Sequence, residues 1–587
     1  MRTSNGPSFC PERRTWARQV RLVLVVLITG HCILAEQAFG QELQSDHQPA
    51  VVRGTVINAV TKQPIGRALV YSADRRYAML TDSEGHFEFT VPKVAADTAS
   101  SFSYSGEPAQ MWSTGAAGRL TWLLARKPGF LDDPNGRTQF DGTPGSEVAI
   151  SLMPEALIKG RVTLPAAEPT NGIDLQLYSR QIQDGSPRWM LKNSVRTKSN
   201  GEFRFAELGP GSYKVLTREW MDNDRISAVP GAQLYGFPPL YYPSATDFAT
   251  AATIHLTAGQ TFQADLSLIR KPYYPVKIPV ANADQNGGMN INVSLQGQRG
   301  PGYSLGYNRE KQVVEGLLPN AKYLVEAESY GPNPASGSVN IDVAGAPVEG
   351  PVMAMVRTNS IPVNVKEEFS SKQPDTHAIW RTGNREFSLR GPRLDLQISA
   401  EAMEEFGQPR GGSMRQPAGP NDDSLVLENL APGRYWLRLT AARGYVASAT
   451  MGGTDLLREP LVVVPGASTP IDITLRDDYA ELQGTLLVTP VTPPGSAHPT
   501  WAAYIDCIPV PDSPGQFLEV PASYDGKFDS QRVAPGAYRV IAFASQQQNL
   551  PYRDPEAMKF YETKGQIVHF ASGQKVTLQL QSISSSE

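Results

Sequence analysis

Short runs of alternating apolar and polar residues, separated by turn residues, make up most of this chain. Residues 51–60, VVRGTVINAV, alternate in this way, and residues 86–91 set Phe87, Phe89 and Val91 on one side with His86, Glu88 and Thr90 on the other. That period of two belongs to a strand with one buried face. After residue 200 one phrase recurs four times: LGPGSYKV (208–215), LLPNAKYLV (317–325), LAPGRYWL (430–437) and VAPGAYRV (533–540). Its tyrosines, Tyr213, Tyr323, Tyr435 and Tyr538, stand 110, 112 and 103 residues apart. A step of roughly 100 residues suits one whole β-sandwich per repeat and is too long for the 20–50-residue units of solenoids and propellers.

The pattern predicts an all-β chain: a linear array of about five antiparallel β-sandwich modules of immunoglobulin-like size. The boundaries fall at 50–155, 156–270, 271–356, 357–476 and 477–587. Closing and opening strands run together at 146–162, 262–280, 350–365 and 471–488, without Gly/Ser or charged spacers, so neighbours are expected to pack end to end. Helix is expected only at 401–406 and 554–565. Asn200-Gly201 and Asp525-Gly526 are hairpin dipeptides. Pro210-Gly211 and Pro535-Gly536 suit a type II turn, which predicts positive φ at Gly211, Gly433 and Gly536, with Asn320 standing in for Gly in the third copy. The Tyr after each turn can bury its ring while its hydroxyl reaches backbone, as in a tyrosine corner.

The first module reads G-x-V, then T-x-x-P-I-x-x-A-x-V, then T-D-x-x-G-x-F-x-F. Gly54, Val56, Thr61, Pro64, Ala68, Val70, Thr81, Asp82, Gly85, Phe87 and Phe89 carry the pattern. It resembles the carboxypeptidase regulatory-like domain, a transthyretin-like β-sandwich grouped with the starch-binding-like folds. The likeness recurs in part at 160–162 with 199–215, and at 484–486 with 524–540. In the third and fourth modules only the Pro–Tyr strand survives, a likeness of architecture.

Composition changes the picture little. Net charge is −4, and five Arg against two Glu in the first 40 residues leave about −7 for the rest. No basic run appears there, which argues against nucleic acid as a partner. Arg13, Arg14, Arg18 and Arg21 precede an apolar stretch at 22–28, and Ala38-Phe39-Gly40 offers a cleavage site before Gln41. Residues 33–35 offer a second. Arg13-Arg14 allows a twin-arginine signal, although so apolar a segment fits the general secretory route better. The expectation is a secreted, periplasmic or extracellular protein, its signal peptide (1–40) cleaved near Gly40 and no membrane anchor in the mature chain. Cys507 is then alone, reading as a small buried hydrophobe.

Candidate chemistry is sparse. None of the seven histidines stands three or four residues from another or has H-x-x-E spacing, so the resemblance carries no peptidase activity over. Gly302-Tyr303-Ser304-Leu305-Gly306 matches a nucleophile elbow, but strand and turn follow it where a helix is required. Residues 82–85 and Asp422-Asp423 read as turn chemistry before cation sites. No cofactor and no metal site is expected.

The best candidate surface is aromatic. Trp220, Tyr235, Phe237, Tyr241 and Tyr242 crowd in and before the loop GAQLYGFPPLYYPS (231–244). Such rings either stack on sugars or cover the sandwich end and plug the junction with the third module. A counterpart at 550–565 precedes Gly573-Gln574 as the first precedes Gly259-Gln260. The function expected is non-catalytic structural or adhesive binding to an envelope protein or polysaccharide. Carbohydrate binding, implied by the starch-binding-like resemblance, is the alternative, and an accessory of a peptidase or transport system is a third.

Overall fold

The computed structural model describes residues 50–583 except 73–74, 92–121, 132–137, 140–146, 166–169, 223–231, 284–286, 332, 371–376, 383–384, 404–405, 407–410, 418, 420–421, 488–500, 511–512, 514–515, 524, 545 and 548–549. The signal segment lies outside the described residues. Five large hydrophobic cores follow one another along the chain. They gather residues between Val52 and Leu152, Ala156 and Leu268, Val276 and Met355, Ile361 and Leu475, and Ala480 and Leu580. The chain is all-β; among the described residues α-helix is confined to Pro392–Asp395 and Pro555–Met558.

One topology repeats five times. The opening strands are Ala50–Asn58, Ala156–Thr163, Lys271–Ala281, Asn359–Glu368 and Ala480–Leu486. Each lies antiparallel to the strand before the turn (His86–Val91, Glu202–Leu208, Val313–Pro319, Leu425–Leu430, Lys527–Val533) and parallel to a closing strand. In the last four modules the tyrosine strand pairs with another across the core to make the second layer. In the fourth, both layers join into one sheet of nine strands. The third and fourth modules thus share the path of the others although their sequences lack the glycine and phenylalanine elements of the first, second and fifth.

The G-x-V and G-x-F elements act together. Gly54, Gly160 and Gly484 sit opposite Phe87, Phe203 and Phe528 in the antiparallel register. Each Phe ring folds across its glycine, so a Cβ there would meet Phe87 Cζ at 2.5 Å, Phe203 Cζ at 2.8 Å or Phe528 Cε2 at 2.8 Å. On the other side it would collide with a backbone carbonyl of the closing segment, of Val148, Ala264 or Leu578. Glycine is required here by close approach, not by φ. The Asp82 carboxylate accepts the amides of Glu84 and His86 at 2.9 and 2.8 Å, and the His86 amide foremost holds its pKa below the usual range. Residues 82–85 are therefore a turn whose carboxylate is occupied by backbone. Gly201 and Gly526 take φ of 79° and 80° in their hairpins, as the dipeptides predict.

All four tyrosines make the same bond. Their hydroxyls donate to the carbonyl four residues earlier: Tyr213 to Gly209 (2.8 Å), Tyr323 to Pro319 (2.8 Å), Tyr435 to Ala431 (2.7 Å) and Tyr538 to Ala534 (2.9 Å). Every ring is buried. The type II turn is not formed, however. Gly211 and Gly536 have φ of 157° and 156°, near the extended limit, and Gly433 lies outside the left-handed range. The left-handed residues stand earlier, at Glu207 and Asn429, where the register of the preceding strand shifts; a bulge turns the chain and leaves the Pro–Gly step extended. Counting back from tyrosine also shows Ala321, not Asn320, in the glycine position. Asn320 instead accepts the Gly345 amide at 2.8 Å through its side chain. Gly433→Ala is accordingly expected to change stability by about 0.5 kcal/mol or less, since its Cβ would meet Tyr435 only at an ordinary 3.6 Å; thermal unfolding of the variant checks this.

One further expectation needs correction. Residues 401–402 end the strand Leu396–Ala402, and Phe406 makes an isolated bridge to Trp189, so no helix starts at 401: the strand pairing with Gly433–Ala441 outweighs the local propensity. The helix near 554 does form, as Pro555–Met558 followed by a 3₁₀ turn at Lys559–Tyr561, capped by Asp554. The modules follow one another as an array along the sequence, and the second also touches the fourth and the fifth.

Candidate interaction site at the module junctions

The five candidate rings fall into three settings. Leu234–Phe237 leaves the second module and pairs with the opening strand of the third, Leu234 opposite Tyr273 and Gly236 opposite Lys271. Trp220 pairs with Phe237 in that ribbon, their rings stacked at 5.6 Å and 29°. Phe237 is fully buried. One face of Tyr235 is covered by the Arg270 guanidinium, 4.4 Å from the ring centre, and Arg270 is ion-paired with Asp222. Tyr241 is buried among Tyr178, Trp189, Leu216 and Phe248, its hydroxyl donating to the Pro301 carbonyl of the third module. Tyr242 packs half-buried on the core of its own module, edge-on to Phe262 at 5.8 Å. The sugar-stacking reading therefore fails for Phe237 and Tyr241, which present no free face; the loop plugs the junction with the third module.

The elbow-like Ser304 lies at this junction. Strands flank it, Gln298–Tyr303 and Gly306–Asn308, so the turn lacks the helix a nucleophile elbow needs. Its hydroxyl and amide donate to one oxygen of Glu219, at 2.5 and 2.7 Å. Burial pushes the Glu219 carboxyl up to about 7, against the pull of Ser304. Serine here donates to an acid across a module boundary and fastens it.

The second-module loop and its counterpart in the fifth module lead into matching turns. Gln260 and Gln574 each accept a backbone amide three residues back, from Thr257 (2.8 Å) and Ala571 (2.9 Å). Leu550, Tyr552, Met558 and Tyr561 lie on the outer face of the fifth module with Phe517, Ile541 and Phe543. Asp422 is filled by Ser424 and Arg415 rather than open to a cation. Among the described residues no group of three or more His, Cys, Asp or Glu side chains is placed to hold a metal ion, and no helix is long and apolar enough to cross a membrane. Cys507 is buried in the core of the fifth module.

A contact invisible in the sequence joins three modules. The hairpin between Asp174–Gln183 and Ser186–Arg196 turns at Asp184-Gly185, with φ of 47° and 76°, the two left-handed positions of a type I′ turn. Tyr552 Oη donates to Asp184 Oδ1 at 2.6 Å, and Arg553 donates to the Asp184 carbonyl and Oδ2 at 2.9 and 3.2 Å. The Arg553 amide reaches the Gly185 carbonyl at 3.1 Å. From the fourth module, Trp436 lies 4.5 Å beneath the Arg553 guanidinium and Arg438 stands 3.7 Å from Asp184. Arg188 donates to the Ala402 carbonyl, and Phe406 packs on Tyr178 and Phe248 at 5.3 and 5.1 Å. Nothing local in the sequence marks what this exposed turn will meet.

No protein-family model matches this chain, and no curated protein matches it. Among solved structures it is similar to the Bacillus anthracis TIE protein, with 11% identity over 70% of this chain and 69% of that one and a TM-score of 0.14. It is likewise similar to the major pilin subunit of Bacillus cereus, with 12% identity over 55% of this chain and 99% of that one and a TM-score of 0.14. A Streptococcal ancillary pilin gives 11% identity over 52% and 98%, with a TM-score of 0.16. Superposition that slight carries no argument; the all-β reading stands on the strands themselves.

Proposed function

We propose that this chain is a non-catalytic exported scaffold, secreted or held in the cell envelope, that works by structural or adhesive binding to an envelope protein or polysaccharide. The modules are read as 50–155, 156–270, 271–356, 357–476 and 477–587. The first and second are read as carboxypeptidase regulatory-like domains and the fifth as a β-sandwich that repeats part of their pattern, a reading supported by the glycine-under-phenylalanine pairs of all three. The observation that carries the function is the use of reactive and aromatic side chains as fastenings. Ser304 is tied to Glu219, Tyr241 to Pro301 and Arg553 to Asp184, which joins modules. The test is retention on the immobilised mature protein, residues 41–587, of an envelope extract and, separately, of a glycan array. One specific protein or polysaccharide is the expected capture. Ester or peptide hydrolysis that disappears in Ser304→Ala would overturn the non-catalytic reading.

A further inference from the structure

We propose that residues 550–561 form a latch, closed over the buried carboxyl of Asp506 on one side and gripping Asp184 of the second module on the other, and that ionising Asp506 loosens it. Asp506 lies in the strand Trp501–Pro509. Alternation sends Ile505 and Cys507 into the core of the fifth module, and Asp506 to the opposite face with Ile508. There it is 0% exposed, and neither carboxyl oxygen has a hydrogen-bond partner. Its cross-strand neighbours are Glu519 and Ile541. Ile508, Ile541 and Phe543 form the apolar floor on that face, and Leu550, Tyr552, Met558 and Tyr561 close over it.

A carboxylate in such a place is strongly disfavoured relative to the neutral acid. Burial first, and the Glu519 charge second, push the Asp506 carboxyl up to about 8. The titratable groups facing it are Glu519 from the neighbouring strand and Tyr561 from the latch, whose own hydroxyl is raised by burial and by Asp506. Tyr504 shares its strand and feels Glu519; the Cys507 thiol turns to the other side. Cations of the surrounding elements are engaged elsewhere: Arg539 donates to the carbonyls of Glu562 and Lys564, and Arg553 to Asp184.

The same segment makes the module clasp. Tyr552 stacks on Phe517 at 4.3 Å and 6° while its hydroxyl holds Asp184. Gly185 abuts it so closely that a Cβ there would lie 2.8 Å from the Tyr552 ring. A latch that lifts from Asp506 therefore carries Tyr552 and Arg553 away from the second module.

The sign follows from proton linkage. In the open form Asp506 meets water and titrates near the ordinary value of about 3.9; in the closed form it keeps its proton to about 8. Closure is fully favoured below the lower value, weakens by up to about tenfold per pH unit between the two, and changes no further above the upper one. Acid closes the latch and alkali opens it.

Hydrogen exchange of the whole mature chain between pH 5 and 9, corrected for intrinsic exchange, tests this in peptides covering 550–561 and 183–186. Protection in both is expected to fall together as pH rises to about 8 and then level off. Asp506→Asn, which cannot ionise, should hold both peptides protected and flat with pH; Asp506→Leu serves the same purpose should the amide not fold. Asp184→Ala should expose 550–561 at every pH while leaving its slope intact. A flat wild-type profile, a slope surviving in the Asp506 variants, or a latch peptide that responds while 183–186 does not would each overturn the proposal.

Discussion

Gly160→Ala should unfold the second module at temperatures where the wild-type chain is intact. The added methyl would enter the space held by the Ala264 carbonyl and stop 2.8 Å from Phe203 Cζ. The ring can rotate away, but the carbonyl belongs to the closing segment, whose Ala264 amide is bonded to the Lys159 carbonyl at 2.8 Å. Relief therefore requires separating two paired segments at the centre of a layer. The expected loss is about 3–5 kcal/mol, above the usual 1–3 for overpacking because backbone must move. Since a domain typically has only 5–15 kcal/mol to lose, limited proteolysis should cut within 156–270 while the first module stays resistant. Gly484→Ala should do the same to the fifth module, where the Leu578 carbonyl blocks. Resistance equal to wild type in both variants would show that the closing segments do not lie against these glycines.

Tyr538→Ala should cost the fifth module about 3–5 kcal/mol, and Tyr538→Phe about 1–2. The ring is fully buried and packs edge-on to Phe570 at 5.5 Å, so truncation leaves a cavity in the core. Removing only the hydroxyl strands the Ala534 carbonyl, its acceptor at 2.9 Å, without opening space. The gap between the two variants separates packing from hydrogen bonding, and denaturant titration reads both. Equal losses would mean the hydroxyl, not the ring, fixes the corner. The same pair at Tyr435 should behave alike, since its hydroxyl reaches Ala431 at 2.7 Å.

The strands, hairpin turns and four buried tyrosines were legible because each rests on neighbours in sequence: alternation, Asn-Gly or Asp-Gly, and a Tyr four residues after its acceptor. The Pro–Gly turn was misread for the same reason. Proline followed by glycine suggests type II locally, whereas the chain reverses earlier through a bulge, with Glu207 and Asn429 left-handed, and only cross-strand register reveals that. The aromatic loop was visible as a cluster, but its facing depended on pairing with the strand that starts at Lys271, a tertiary fact. Asp184 and Asp506 left no trace at all. One is an ordinary turn residue whose partners lie 368 and 369 positions away; the other is a polar residue on a strand that local pattern would leave facing water.

Contacts of the second module with the fourth and the fifth fasten the modules into a compact array. Small-angle scattering of residues 41–587 tests it most directly. Five modules of about 100 residues end to end would give a radius of gyration of roughly 50 Å, against about 24 Å for one globule of this length. The contacts among the second, fourth and fifth modules predict a value nearer 30 Å for the wild type at pH 5, rising in Asp184→Ala. A wild-type value near 50 Å, unchanged by Asp184→Ala, would contradict it.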